Sequence, residues 1–298
     1  MPIASYRTVR SLLRHARVAL VAPSGPLRDA DDLERAITNV REFGWTPVAG
    51  QHVLERDGYL AGPDAHRLHD LNSALRDDTI DAIWCIRGGY GMMRILDHID
   101  YGVICEQPKP IIGFSDITAL HAAVGRRCSI ISYHGPTARA EMSPFSRNSF
   151  ERAVVFNEDP LGVAHGARML YPGRAQGRLM GGNLALLAAL AGTPYFPDLQ
   201  GAVLVLEDVN ETAYRIDRLL HQLLLSGALS HVAALAFGQF TECDESPDRL
   251  FQEFADRLKV PCLANLPIGH VDDQWTVPLG ALATLDADEM TLTLIPHH

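Results

Sequence analysis

The sequence predicts an α/β protein with a mostly parallel sheet in its N-terminal half. Short apolar runs alternate there with segments whose apolar residues recur at helical spacing, a pattern typical of βαβ units. A polar, proline-bearing stretch then separates this half from a second one with its own alternation of strands and helices. At 298 residues and 47% hydrophobic content, the chain can form one large domain or two of ordinary size.

The first half, residues 1–140, consists of alternating predicted elements. The strands are 18–22, 45–48, 80–86 and one that ends at 112, and the helices are 31–43, 64–76, 93–99 and one from 116 onward. Ligands of parallel α/β sheets bind beyond the carboxyl ends of the strands. Three loops are expected at that edge: 23–26, 87–91 and 113–116.

Residues 141–176 are predicted to connect the two halves, because they are polar and carry Pro144, Pro160 and Pro172. Residues 177–298 are assigned to a C-terminal domain whose last two apolar runs alternate like a hairpin. The predicted elements are helices at 184–190, 213–225 and 246–258, strands at 202–206, 232–238 and 260–265, and the hairpin at 280–286 and 290–295.

Composition argues against several classes of function. The net charge of −10, from 36 acidic and 26 basic residues, disfavours a surface for nucleic acid or anionic membranes. Arginines interrupt the start of the chain, so no signal peptide is predicted, and no apolar stretch reaches membrane-spanning length. The cysteines are odd in number and include no C-x-x-C pair, which favours reduced thiols in a cytosolic protein over a disulfide or zinc framework. They are Cys85, Cys105, Cys128, Cys243 and Cys262.

Ser115 follows a predicted buried strand and precedes a helix, with only Gly113 and Phe114 between Ile112 and the serine. Such a sharp corner resembles a nucleophile elbow, which exposes a serine hydroxyl above a sheet. The N–H groups of the helix start would face whatever the serine attacks. The same pattern fits an ordinary turn with Ser115 as helix N-cap. Ser24 is the rival nucleophile, although the prolines around it favour a turn.

A serine nucleophile needs a base and a third group that orients the base. His270 follows a glycine in a loop after a predicted strand, and Glu207 ends a buried strand, where a carboxylate needs a partner. With Ser115 they occur in the order serine, acid, histidine, which α/β-hydrolases also show. The alternatives are a histidine satisfied by local backbone and a salt bridge from Glu207 to Arg215 or Arg218.

Residues 87–91, Arg-Gly-Gly-Tyr-Gly, form a glycine-rich loop after a strand. Its N–H groups can face an oxyanion or a phosphate, but the spacing matches no nucleotide-binding motif, and a tight turn is the alternative. His66 and His69 lie at helical spacing without a third ligand or an H-E-x-x-H motif, so no metal site is predicted. His297 and His298 are given no role.

Six motifs follow one another along the chain: Val21-Ala22-Pro23-Ser24-Gly25, Ile86-Arg87-Gly88-Gly89-Tyr90-Gly91, Gly113-Phe114-Ser115-Asp116, Gly181-Gly182-Asn183-Leu184, Leu206-Glu207-Asp208-Val209-Asn210-Glu211 and Gly269-His270. In this order they resemble the LD-carboxypeptidases, or muramoyltetrapeptide carboxypeptidases, a serine peptidase family that also contains the microcin-immunity peptidases. The resemblance covers nearly the whole chain, from about residue 18 to residue 285. Each motif alone is weak, and their common order makes the resemblance specific.

The resemblance implies a catalytic triad of Ser115, Glu207 and His270. It also implies a class I amidotransferase-like N-terminal sheet domain and a smaller, β-rich, swivelling C-terminal α/β domain. The serine would lie on the first domain, and the acid and base on the second. Because the two domains must dock, the bond between Ser115 Oγ and His270 Nε2 is expected within about 2.6–3.2 Å, or looser without ligand, with Glu207 on the other ring nitrogen.

Further site residues follow from the same resemblance. The oxyanion hole is expected from the N–H of Asp116 and that of Gly89, with Gly88 as the alternative. Tyr90 and Asn183 are expected to contact substrate. Neither a metal nor an organic cofactor is expected, because acyl transfer by serine needs none.

The implied function is a cytoplasmic serine carboxypeptidase that removes the terminal D-alanine from murein tetrapeptides in cell-wall recycling. The expected partner is a small muropeptide, with no nucleic acid and no membrane, and the resemblance favours a homodimer. One alternative is a microcin-type immunity peptidase that cleaves a peptidyl-aminoacyl nucleotide, with Trp275 or Tyr171 stacking on the base. The other is a non-catalytic peptide-binding relative.

Overall fold

A computed structural model describes residues 6–296, so His297 and His298 lie outside the described residues. The strands are β1 (Arg17–Val21), β2 (Thr46–Ala49), β3 (Ala82–Cys85), β4 (Ile111–Gly113), β5 (Ser132–His134), β6 (Gly162–Val163), β7 (Arg168–Tyr171), β8 (Arg174–Asn183), β9 (Ala202–Val209), β10 (Ala234–Thr241), β11 (Cys262–Ala264), β12 (Val277–Leu279), β13 (Leu282–Asp286) and β14 (Thr291–Leu294). The helices are α1 (Ala30–Glu42), α2 (Asp64–Arg76), α3 (Met92–Ile95), α4 (Tyr101–Glu106), α5 (Thr118–Cys128), α6 (Pro144–Glu151), α7 (Leu184–Leu190), α8 (Ala213–Leu225) and α9 (Asp248–Leu258). Within this range, none of the helices combines the length and the hydropathy needed to cross a membrane.

The first sheet has the strand order β12-β5-β4-β3-β1-β2. Strands β1 to β5 run parallel, which confirms the mostly parallel sheet expected for this half. The residues of β3 and β4, and those of β1 after Arg17, are buried and mostly apolar, as is typical of a parallel sheet covered by helices, whereas the residues of the edge strand β2 are exposed or half-buried. At one edge β12 pairs antiparallel with β5, so a strand from the C-terminal half completes the sheet of the N-terminal half.

The second sheet has the order β6-β14-β13-β8-β9-β10-β11-β7, with parallel strands in its centre and antiparallel strands at both edges. Its long strand β8 is rich in glycine because the backbone of β9 lies very close. A Cβ on Gly177 would stand 2.2 Å from Gly201 O, and one on Gly181 would stand 2.0 Å from Val205 O. Larger residues at these positions would therefore separate the two strands.

Several elements differ from the sequence-based expectation. Residues 141–176, expected only to connect the halves, form α6 and the strands β6 and β7, which join the second sheet. The helix α4 and the strands β5, β8 and β12 were not expected. The C-terminal hairpin was expected, and it forms from β13 and β14.

Cys105 in α4 and Cys128 at the end of α5 form a disulfide, with Cα atoms 5.0 Å apart. The expectation that all cysteines are reduced thiols is therefore wrong for this pair, while Cys85, Cys243 and Cys262 are free. The pairing depends on how two helices pack, which a sequence separation of 23 residues does not reveal. Because disulfides are rare in cytosolic proteins, the cysteines no longer support a cytosolic location.

Candidate active site

Ser115 lies at the corner between β4 and α5. Its φ of 65° falls in the left-handed region, a strained conformation for a residue with a side chain. Buried His121 of α5 fixes the strand end: its Nε2–H donates to Gly113 O at 2.8 Å, and its Nδ1 accepts from the Ser132 hydroxyl at 2.9 Å. Burial lowers the pKa of His121 to about 4, so the ring is neutral and keeps this arrangement. The strand, corner and helix have the geometry of a nucleophile elbow.

The three loops expected at the carboxyl edge of the sheet do meet there. The N–H of Gly25 in the first loop donates to Gly88 O in the second at 2.9 Å. Gly88 also lies against the serine of the third loop, since a Cβ on this glycine would stand 2.8 Å from Ser115 Cβ. Glycine is thus required at position 88 to let the second loop approach the corner.

Glu207 and His270 form a hydrogen-bonded pair. Glu207 is fully buried in β9, and its Oε2 accepts from His270 Nδ1 at 2.9 Å. A proton on Nδ1 leaves the lone pair of Nε2 available, which is the tautomer that a general base needs. Among the described residues neither Arg215 nor Arg218 forms an ion pair with this carboxylate, so the salt-bridge alternative for Glu207 is not observed.

Ser115 and His270 approach each other from the two halves. The ring of Phe114, just before the serine, packs on the His270 ring with centroids 4.6 Å apart. Within residues 6–296, the side-chain hydrogen bond of His270 is the one to Glu207, and none joins it to Ser115. The expected direct serine–histidine bond is therefore not formed in this structure. Such contacts are often long in sites without substrate.

Helix α6 holds the loop that carries the histidine. Ser146 Oγ accepts from the N–H of Gln274 at 2.7 Å and donates to Asp272 O at 2.6 Å. Ser149 Oγ accepts from the N–H of Thr276 at 2.9 Å. These serines lie in the segment expected to be a connector, and nothing in the sequence pattern marks them as supports of the site.

The backbone around the corner supplies candidate donors to an oxyanion. In the described part of the chain the N–H groups of Gly88 and Gly89 donate no backbone hydrogen bond, so they remain available to a ligand. The Asp116 carboxylate, buried behind the corner, accepts from the N–H of Met92 at 2.8 Å, and burial raises its pKa. Asp116 therefore ties the start of α3, just after the glycine-rich loop, to the serine corner.

The family model for the LD-carboxypeptidase N-terminal domain matches residues 18–135, and the family model for the LD-carboxypeptidase C-terminal domain matches residues 176–285. The chain belongs to the LD-carboxypeptidase family. A putative carboxypeptidase of Streptomyces coelicolor is 44% identical to it, over 94% of this chain and 93% of the relative. The murein tetrapeptide carboxypeptidase of Pseudomonas aeruginosa is 38% identical, over 92% of this chain and 94% of the relative.

The solved structure of muramoyltetrapeptide carboxypeptidase from Oxalobacter formigenes superposes with a TM-score of 0.84 at 29% identity. The match covers 94% of this chain and 98% of that chain. The expected fold class, an α/β N-terminal sheet domain followed by a second α/β sheet domain, is therefore confirmed at the level of the LD-carboxypeptidase family.

Asn183, expected to contact substrate, is engaged in hydrogen bonds inside the protein. Its Nδ2 donates to Asp208 Oδ1 at 2.8 Å, and its Oδ1 accepts from the N–H of Leu186 at 3.2 Å as the N-cap of α7. Its own N–H donates to Thr118 Oγ1 at 3.0 Å, across the two halves. Since Asn183 is only 3% exposed, the geometry favours a positioning role over direct contact with substrate.

Two residues of the site carried no role in the sequence analysis. Asp208 is buried beside Glu207, and burial together with the charge of Glu207 raises the pKa of Asp208 to about 6. Its place in the Leu-Glu-Asp motif was the signal that could have revealed it. Buried Arg67 of α2 donates to Pro23 O and, at 3.0 Å, to Gly91 O, which joins the first two loops. No motif marks Arg67.

The remaining candidates differ in their surroundings. Tyr90 is exposed on the glycine-rich loop and packs edge-on against Tyr59, with centroids 5.4 Å apart. Trp275 is buried in an apolar cluster and so does not provide the aromatic platform considered for a nucleotide base, while half-buried Tyr171 lies in β7 at the edge of the second sheet. Ser24 is fully buried, unlike Ser115.

Proposed function

We propose that this chain is a serine carboxypeptidase that removes the terminal D-alanine from murein tetrapeptides through a Ser115–His270–Glu207 triad. The observation that carries the proposal is the 2.9 Å hydrogen bond between Glu207 and His270, whose ring packs on Phe114, the residue before a serine with a φ of 65°. The names of the relatives, murein tetrapeptide carboxypeptidase and muramoyltetrapeptide carboxypeptidase, support the substrate class.

In the proposed reaction, His270 Nε2 takes the proton of the Ser115 hydroxyl as Oγ attacks the carbonyl before the terminal D-alanine. The N–H groups of Asp116 and Gly89 donate to the oxyanion that forms on that carbonyl. The imidazolium, stabilised by the buried glutamate, then protonates the leaving amine, so D-alanine departs and an acyl-enzyme remains. Water, deprotonated by the same ring, hydrolyses the ester and restores the serine. The reaction needs no metal or organic cofactor.

The proposal includes a role in cell-wall recycling in the cytoplasm, with a small muropeptide as partner and a homodimer as the working form, as the family resemblance implies. The microcin-type alternative has less support, because buried Trp275 is not available to stack on a base. A purely binding relative has no need of a strained serine beside a preformed acid–base pair.

The test is to incubate the purified chain with tetrapeptides that carry meso-diaminopimelate or lysine at the third position and to quantify released D-alanine. Release from at least one tetrapeptide is expected, with none from the same peptide ending in L-alanine. A peptidyl-aminoacyl nucleotide serves as the competing substrate. Cleavage of the nucleotide without release of D-alanine from either tetrapeptide would overturn the proposal.

A further inference from the structure

Two histidines and a glutamate converge between the loop after β2 and the start of α2. Glu55 Oε1 accepts from His52 Nδ1, and Oε2 accepts from His66 Nδ1, each at 2.7 Å. The ligand atoms of the three residues all lie within 4.8 Å of one another. The rings of His52 and His66 stack with centroids 4.2 Å apart. We propose that these side chains form a binding site for one divalent transition-metal ion, with Zn²⁺ as the probe.

The donor set suits zinc, which binds imidazole nitrogen and carboxylate oxygen. A tetrahedral ion places such ligands about 3.4 Å apart, so the pairs in contact at 2.7 Å must separate slightly. Glu55 and His66 can make this movement because their side chains are 37% and 44% exposed. When the ion binds, the proton of each neutral ring moves from Nδ1, where it donates to Glu55 in the metal-free site, to Nε2, and Nδ1 binds the ion. Water or His69, whose ring lies 5.6 Å from that of His52, completes the coordination.

The surrounding backbone is shaped to hold these side chains. Buried Asp70 accepts from the N–H of Gln51 at 3.1 Å and from that of His52 at 2.8 Å, which fixes the start of the loop. Gly62 has a φ of 85°, and a Cβ at this position would stand 2.5 Å from Glu55 Oε2. A glycine at position 62 therefore leaves the space that the Glu55 carboxylate occupies.

The site lies beside the active-site rim and outside the proposed triad. The loop that supplies His52 and Glu55 also carries Tyr59, which packs on Tyr90 of the glycine-rich loop. A metal ion bound to this loop and to α2 would hold Tyr59 at the rim without taking part in acyl transfer. The inference stands on these contacts alone, independently of the proposed peptidase reaction.

The test is a zinc titration of the metal-stripped full-length chain against a chromophoric zinc indicator at neutral pH. We expect one zinc ion per chain and a higher melting temperature with zinc. His66→Ala should weaken zinc binding by at least the roughly 10–100-fold that loss of an outer-shell partner costs a metal site. His221→Ala is the matched control, because His221 is equally exposed and its Nδ1 lies 2.7 Å from a carboxylate oxygen of Asp217, outside the site.

A variant that lacks His297 and His298 excludes binding at the C-terminus. His52→Ala removes the histidine ligand on the loop and repeats the experiment independently of His66→Ala. The melting temperature without zinc shows whether each variant is folded. If one variant is misfolded, zinc binding by the other tests the proposal. The proposal is overturned if the wild-type chain binds no zinc, or if the folded histidine variants bind zinc as tightly as His221→Ala. D-alanine release by the metal-stripped chain is measured separately and should be unchanged.

Discussion

The acid–base pair and the serine corner differ in how their parts are joined. Glu207 and His270 both belong to the C-terminal half, and they are bonded at 2.9 Å without substrate. Ser115 belongs to the N-terminal half, and in the described part of the chain no hydrogen bond connects it to His270. The pair is thus preorganised, whereas the contact between serine and base depends on how the halves pack. We infer that substrate binding completes the triad.

The largest expected effect is at the serine. Ser115→Ala removes the nucleophile, so kcat for D-alanine release should fall by at least about 10³-fold and up to about 10⁶-fold, as for loss of a triad serine. Substrate binding should persist. Ser24→Ala, the matched control, should keep most of the activity. Loss of activity in Ser24→Ala but not in Ser115→Ala would assign the nucleophile to Ser24 and show that the corner at Ser115 is not the catalytic element.

A smaller effect is expected on stability at Asp208, which accepts a hydrogen bond from Asn183, the residue whose own N–H donates to Thr118 of the N-terminal half. Burial raises the pKa of Asp208 from 3.8 to about 6, so the folded state binds its proton more tightly than the unfolded state. The stabilisation is complete below pH 3.8 and is lost as the pH rises through about 6. Titration of Asp208 should therefore make the free energy of unfolding up to about 3 kcal/mol lower at neutral pH than at acidic pH.

Asp208→Asn has no proton to lose, so its free energy of unfolding should fall less between acidic and neutral pH than that of the wild-type chain. Urea unfolding at both pH values measures the difference. The variant also loses a hydrogen-bond acceptor, so the informative quantity is the pH dependence and not the absolute stability. Identical pH dependence in both proteins would show that Asp208 does not titrate as described.

The smallest effect is expected where α6 supports the histidine loop. Ser146→Ala removes the hydrogen bonds to the N–H of Gln274 and to Asp272 O. The resulting freedom of the loop should lower kcat about tenfold, equivalent to the ~1.5 kcal/mol that a hydrogen bond contributes at most. Ser226→Ala, which removes a bond to Leu223 O at the end of α8, is the control. An unchanged kcat in Ser146→Ala would show that the hydrogen bond between Glu207 and His270 positions the histidine without support from α6.

Sequence patterns predicted those parts of the structure that depend only on residues close together along the chain. The helix at 64–76 and the serine corner were both expected, since each depends on spacing within a few residues. Strand β8 was missed because Gly177 and Gly181 suggest a loop, and only the closeness of β9 explains them.

Contacts between distant segments gave no signal in the sequence. Ser146 and Gln274 are 128 residues apart. The strand β12 joins a sheet whose other strands lie in the N-terminal half, and its partner β5 was not expected either. From the sequence, no third ligand was apparent for His66 and His69. Glu55 and His52 meet His66 only when the loop folds back on α2, which local spacing does not reveal.

The most direct test of the triad is to treat the protein with a fluorophosphonate and map the adduct by peptide mass spectrometry. Such reagents modify serines that a neighbouring base activates. We predict a single adduct on Ser115, with labelling strongly slowed in His270→Ala and in Glu207→Gln. An adduct on another serine, or labelling of Ser115 at the same rate in both variants, would contradict the proposal that His270 and Glu207 activate Ser115.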